Sequence, residues 1–262
     1  MGQALAIGDH LRTWRQRRRM SQLDLACEAD ISTRHVSFLE TGRSRPSRDM
    51  VLHLAERLDV PLRERNVLLV AAGFAPVFAE RALDDPALRA AREAVELVLA
   101  AHEPYPAIAV DRHWTLVAAN AASARVFDGV TPELAQPPVN ALRIALHPKG
   151  LAPRIANFAE WRGDLLARLR RQVDVSADPT LAALYDELAG YPSPRQTRPM
   201  PANPTAVAVP LRLMTDHGLL SFLSTITVFG TPIDITLSEL AIETFLPADR
   251  ETAEALRRMA TG

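Results

Sequence analysis

SQLDLACEADISTRHVSFLETGRSRP, residues 21–46, is the stretch whose reading decides the fold of the front of this chain. Ser21 precedes an apolar helical pattern and Asp24 stands three residues further on, a variant of the capping box, so a helix begins here. Leu23, Leu25 and Ala26 are expected on its buried side. Ala29-Asp30-Ile31 interrupts the pattern, and Ser32 is a second N-cap, opening a helix whose Val36 and Leu39 recur at i, i+3 spacing. Gly42 can stop that helix. The stretch therefore reads as two short helices joined by a tight turn.

Working outward, residues 9–18 form an expected first helix, with Leu11 and Trp14 buried and Arg12, Arg15, Arg17, Arg18 and Arg19 on or near its polar side. Residues 50–58 continue as a fourth helix, because Val51, Leu54, Ala55 and Leu58 fall at i, i+3, i+4, i+7. Pro61 suits the first position of a fifth. That helix closes near Ala72, with Gly73 as its cap.

Ile7-Gly8, Leu11, Arg15, Ser21-Gln22-x-x-Leu25-Ala26, Ile31-Ser32, Val36, Leu39-Glu40-x-Gly42 and Arg45-Pro46-Ser47 together resemble the helix-turn-helix of the xenobiotic-response-element (Cro/C1) repressor family. The resemblance covers about the first quarter of the chain. It departs at Asp30, where the family usually has Gly, although Asp tolerates a left-handed backbone better than most residues. The resemblance implies double-stranded DNA as partner, with the third helix in the major groove and Gln22, Ser32, Thr33, Arg34 and Ser37 facing it. By chemistry, Arg34 can offer a bidentate fork to guanine, and Gln22 can pair with adenine or anchor a phosphate. Arg15, Arg43 and Arg45 suit phosphates. Glu40 would be repelled by DNA and reads as an internal partner of Arg12 or Arg15.

Charge distribution agrees. The 262-residue chain carries a formal net charge of −1, yet residues 1–48 hold nine arginines against five acidic side chains. With 48% hydrophobic content the chain buries a sizeable core and is expected to hold two domains. Cys27, the single cysteine, excludes an internal disulfide and a cysteine-based zinc site, and reads as a packed, inert thiol. No apolar run is long enough for a signal core or a membrane span, so a cytoplasmic home is expected.

Phe74, Pro76 and Asp84-Asp85-Pro86 mark a junction, and residues 87–101 an amphipathic sixth helix. Beyond Glu103 the texture changes. Residues 107–118 read as two strands about an Asp111-Arg112 turn, and Asn120 opens a helix through Phe127. Helices are expected around residues 161–173 and 179–188. Pro192, Pro194, Pro199, Pro201 and Pro204 then crowd a loop. Three β-rich runs follow at 206–214, 219–229 and 233–246, broken by Asp216-His217-Gly218 and Gly230-Thr231-Pro232. Asp249 caps a final helix. An antiparallel sheet flanked by helices is the expected result.

Pro106-Ala-x-x-Val110-Asp111, Trp114 through Asn120-Ala121, Asn140-x-Leu142, His147-Pro148-x-Gly150, Asn157, Trp161 and His217-Gly218-Leu219 resemble a second family, the MmyB-like ligand-binding domain, a PAS-like module. The proline-rich 191–204 segment departs from that family's pattern. The resemblance implies sensing of a lipophilic small molecule such as a fatty acid. Phe127, Leu142, Trp161, Leu165, Phe222 and Ile226 are candidates to line its cavity or simply to fill a core. His147, Arg154 and Asn157 are candidates for a carboxylate head group.

The expected fold is thus two-domain: an all-α five-helix head over residues 1–73, a connecting helical segment over 74–103, and an α+β PAS-like domain over 104–262. No GxSxG elbow, Gly-rich phosphate loop or HExxH is present, so no enzyme, metal or cofactor is expected. What the resemblances imply is a transcription regulator, a homodimer on a palindromic operator, sensing a lipophile. The alternative keeps the head and makes the second domain a dimerisation or protein-interaction module without small ligand.

Overall fold

The computed structural model describes residues 6–126, 128–194 and 208–261. They divide into two compact units, one of residues 1–81, 174–176 and 232–238, the other of 82–173, 177–231 and 239–262.

The first unit is built on five helices: α1 (Ile7–Arg17), α2 (Gln22–Glu28), α3 (Thr33–Glu40), α4 (Arg48–Arg57) and α5 (Leu62–Ala71). Ser21 and Asp24 form the full reciprocal capping box of α2, and the Ser32 and Ser47 hydroxyls accept from His35 N and Met50 N to start α3 and α4. Asp30 adopts the left-handed backbone at φ 52°, and Gly42 does so at φ 72° to end α3. Leu11, Trp14, Leu25, Val36, Leu39, Val51, Leu54, Leu58, Leu68 and Leu69 pack as one core. A side chain on Gly8 would put its Cβ 2.6 Å from the carbonyl oxygens of Leu39 and Glu40, so α1 and α3 touch backbone to backbone.

Two expectations for α2 are corrected. Leu23 is 58% exposed, and Cys27 is exposed rather than packed. Leu25, Ala26 and Ala29 make the buried stripe, and at 100° per residue Leu23 and its i+4 neighbour Cys27 fall on the other side of the helix. Pro61 is the residue before α5 rather than its first position.

The second unit comprises α6 (Arg89–Ala101), β1 (Ala107–Val110), β2 (Leu116–Ala119), α7 (Ala121–Val126), α8 (Ala141–Leu146), α9 (Phe158–Ser176), α10 (Pro179–Ala189), β3 (Leu211–Thr215), β4 (Gly218–Val228), α11 (Ile235–Ser238), β5 (Ala241–Pro247) and α12 (Arg250–Thr261); α11 and the last turn of α9 group with the first unit. The strands form one antiparallel sheet in the order β2-β1-β5-β4-β3, the α+β architecture expected.

Alternation sorts the strands onto two faces. Ala107, Ala109 and Ile242 meet Val95 and Leu99 of α6, whereas Ile108, Val110, Leu213, Leu220 and Phe222 face the main core with Leu142, Trp161, Leu165 and Leu184. Glu243, between Ile242 and Thr244 in β5, sits opposite Ile108 on β1 and Ile226 on β4.

The run expected as one strand over 233–246 is corrected. Its first half is the short helix α11, started by Asp234, whose Oδ1 accepts from Thr236 N, and β5 begins only at Ala241. Asp234 is buried and paired with Arg81 at 2.8 Å, a partner distant in sequence that the alternating pattern does not reveal. Phe127, Pro199, Pro201, Pro204 and the start of the 206–214 run lie outside the described residues.

Candidate functional site

The outer face of α3 follows from its register. Val36, Leu39 and Glu40 are buried, leaving Thr33, Arg34, Ser37 and Phe38 on the remaining arc. Phe38 lies between two cations, with the Arg34 guanidinium 5.1 Å and the Arg43 guanidinium 5.8 Å from its ring centroid. Arg43 and Ser44 donate their backbone N–H groups to Phe38 O, folding the loop onto the end of α3, and buried Pro46 anchors it while Arg45 stays exposed. Arg34, Arg43 and Arg45 are thus presented by α3 and the loop behind it. Ser32 is at the N-terminal end of α3, with its hydroxyl engaged as the cap.

Gln22 and Arg15 are placed differently. Glu40, 3% exposed, accepts from Arg15 Nε at 2.6 Å, Arg15 Nη2 at 2.9 Å and Gln22 Nε2 at 2.8 Å, with Arg12 3.6 Å away. Arg15 also donates to Met20 O, so this guanidinium is held inside the unit, joining α1 to α3. Burial pushes the Glu40 acid up, but the hydrogen bonds from Arg15 and Gln22 and the charges of Arg15 and Arg12 outweigh it and hold the group below the usual glutamate range.

The second unit contains a slender, largely enclosed chamber of about 50 Å³. Its walls are mostly apolar, supplied by Ile108 of β1, Leu142 of α8, Leu165 of α9, Leu211 of β3, Phe222 of β4 and Phe245 of β5. Four polar side chains interrupt them: Ser123 of α7, Trp161 and Arg168 on one face of α9, and Glu243 on β5. Arg168 Nη1 donates to Glu243 Oε1 at 3.0 Å, and the guanidinium carbon lies 4.7 Å from the centroid of the Trp114 ring. Trp114 itself has φ 65°, a conformation a bulky residue rarely adopts, and its indole N–H is fixed by Gln172 at 2.8 Å. Arg168 Nε and Nη2 and Trp161 Nε1 are buried without a hydrogen-bond partner.

Of the candidate ligand residues, Leu142, Trp161 and Phe222 line this chamber together with Leu165. The others do not. His147 packs edge-on against Tyr191 and accepts from Lys149 N through Nδ1. Arg154 donates to Asp128 O and Met214 O beside a separate, open cleft. Asn157 is buried but joins Pro210 O, Arg212 N and Glu160. Ile226 is 42% exposed near the end of β4. Sequence reasoning missed Arg168 and Glu243. Their signal is a charge on an apolar period: Arg168 stands at i+7 from Trp161 and i+3 from Leu165, and Glu243 occupies the inward position between Ala241 and Phe245.

Among the described residues no helix is long and apolar enough to cross a membrane, and no three His, Cys, Asp or Glu side chains are grouped as metal ligands. Compared with known proteins, residues 6–68 match the model of a helix-turn-helix domain, and residues 91–259, well over half of the chain, match that of the MmyB-like transcription regulator ligand binding domain. None of the curated proteins matches. A solved structure described as an RNA-binding Light-Oxygen-Voltage receptor aligns over 97% of this chain and 63% of its own length, at 12% identity and a TM-score of 0.27, a likeness too weak to carry an argument.

Proposed function

Given that the chain belongs to the MmyB-like transcription regulators, and is a DNA-binding regulator with its own ligand-binding domain, we propose that the ligand is a lipophile such as a fatty acid and that its occupancy alters DNA binding. The observation that carries this reading is the chamber itself: apolar walls with a few buried polar groups, the usual make-up of a small-molecule site. A pure interaction module has no need of unfilled space or of unpartnered donors around it.

On DNA, α3 reads the major groove of a two-fold operator through Arg34, with Thr33 and Ser37 beside it, and a homodimer matches that symmetry. Arg43 and Arg45 grip phosphates. Gln22, steadied by Glu40, positions the start of α2 against the backbone. The test is native against denaturing mass spectrometry of the purified full-length chain, followed by titration of any released molecule against duplex binding. Release of a lipophile that shifts duplex affinity is the expected result; no released molecule and no thermal stabilisation by a panel of lipids would return the second domain to an interaction role.

A further inference from the structure

The side-on edge of an arginine, Nε with Nη2, is a pair of parallel donors that matches the two oxygens of a carboxylate. Among the described residues, Arg15 and Arg143 show the fit. Arg15 places that edge on both oxygens of Glu40, and Arg143 places it on both oxygens of Glu187 at 2.8 and 2.7 Å. In Arg168, whose side chain lines the chamber, the same edge is buried and has no partner, while Nη1 is taken by Glu243. Leaving two donors of a charged group unmet inside a fold is costly. The surroundings nonetheless fix the group in place, with the indole of Trp114 under its face and Glu243 at its far end. Trp161, 3% exposed and two turns earlier on the same face of α9, adds a third unmet donor.

We infer that the Nε and Nη2 edge of Arg168 receives the carboxylate of the ligand, with the apolar chain of the ligand lying along the chamber and the Trp161 N–H as a further donor to it. This rests on the sensing reading above and names the group that selects the ligand. Glu243 keeps its own donor at Nη1, so the guanidinium serves both carboxylates without exchange of partners. An ester keeps the chain but has no second anionic oxygen, and an alcohol has a single oxygen, so both leave the fork half-filled.

The experiment uses the full-length chain with dodecanoic acid, its methyl ester and dodecan-1-ol, read by isothermal titration and by thermal shift. Wild type is expected to prefer the acid by roughly 10-fold or more, the scale of a charge-assisted hydrogen-bond pair. Arg168→Lys keeps a cation for Glu243 but lacks the fork and is expected to erase most of that preference. Arg168→Met with Glu243→Met removes the ion pair as a unit, which buried pairs commonly tolerate without unfolding; it is expected to bind the ester as wild type does and to lose the acid preference, with circular dichroism confirming the fold. Trp161→Phe is expected to weaken the acid by a smaller factor. Equal binding of acid and ester by wild type, or an undiminished acid preference in a folded double variant, overturns the assignment while leaving the sensing reading in place. Failure of wild type to bind any of the three overturns both.

Discussion

At the scale of single residues, Glu40 is where the helical unit is most exposed to mutation. Removing it strands Arg15 in the core, and loss of one partner of a buried pair typically costs about 3–5 kcal/mol; Glu40→Ala is expected to lower the denaturation midpoint accordingly, and Glu40→Gln by less. Because the folded value lies below the unfolded one, near 4.3, the carboxylate's contribution is complete above that pH and is lost as pH falls through the folded value. Acid melts of wild type should therefore be steeper in that window than those of Glu40→Gln. On the outer face the expected contrast is between two arginines. Arg34→Ala should abolish the difference between operator and random duplex, whereas Arg43→Ala should weaken both alike and reduce the salt slope. Equal losses on both duplexes for Arg34→Ala would show that it reads no base. The internal role of Glu40 was legible because an acid in a basic motif needs a reason. That Arg15 is wholly absorbed by it was not, since the sequence shows five arginines in α1 and its immediate surroundings and no way to tell which one turns inward.

Elements were legible where chain-local chemistry sets them. Ser21, Ser32 and Asp249 cap the helices that follow, as hydroxyl and carboxylate side chains before an apolar period should. Residues 233–246 misled because Ile, Thr and Leu read as strand while the buried Asp234 decides the matter through a distant partner. The close passage of α1 over α3 gives a measurable consequence. Gly8→Ala must push its methyl into two backbone carbonyls, and a loss of about 1–3 kcal/mol is expected in chemical denaturation. Between α8 and the end of α10, Arg143, Glu187 and the Tyr191 hydroxyl form a second tie. Burial, reinforced by the Glu187 carboxylate, pushes the Tyr191 phenol up to about 12. Its contribution to stability is complete below the unfolded value of about 10 and disappears as pH rises through about 12. A tyrosinate absorbance step there, absent from Tyr191→Phe, is the expected signature.

For the molecule as a whole, fold class and strand count followed from periodicity and turn residues, but the chamber did not. Leu142, Trp161, Leu165 and Phe222 were found because large apolar side chains at regular spacing must go inward. Whether they fill space or surround it depends on a deficit of volume summed over five strands and several helices, which no local pattern records. The polar candidates His147, Arg154 and Asn157 are near one another in sequence, but each is occupied by loop carbonyls, amides or a ring. A ligand that fills the chamber should raise the melting temperature of the full chain as well as shift duplex affinity, and the two titrations should give one midpoint.

The grouping of residues 232–238 with the first 81 has a bearing on inheritance. A genetic exchange that replaced the head with a single crossover after Arg81 would carry off one half of the Arg81–Asp234 pair and leave its buried carboxylate behind in the recipient gene. Such a hybrid needs a second, distant splice before it is whole, so these two segments are expected to travel through lineages together rather than as interchangeable cassettes.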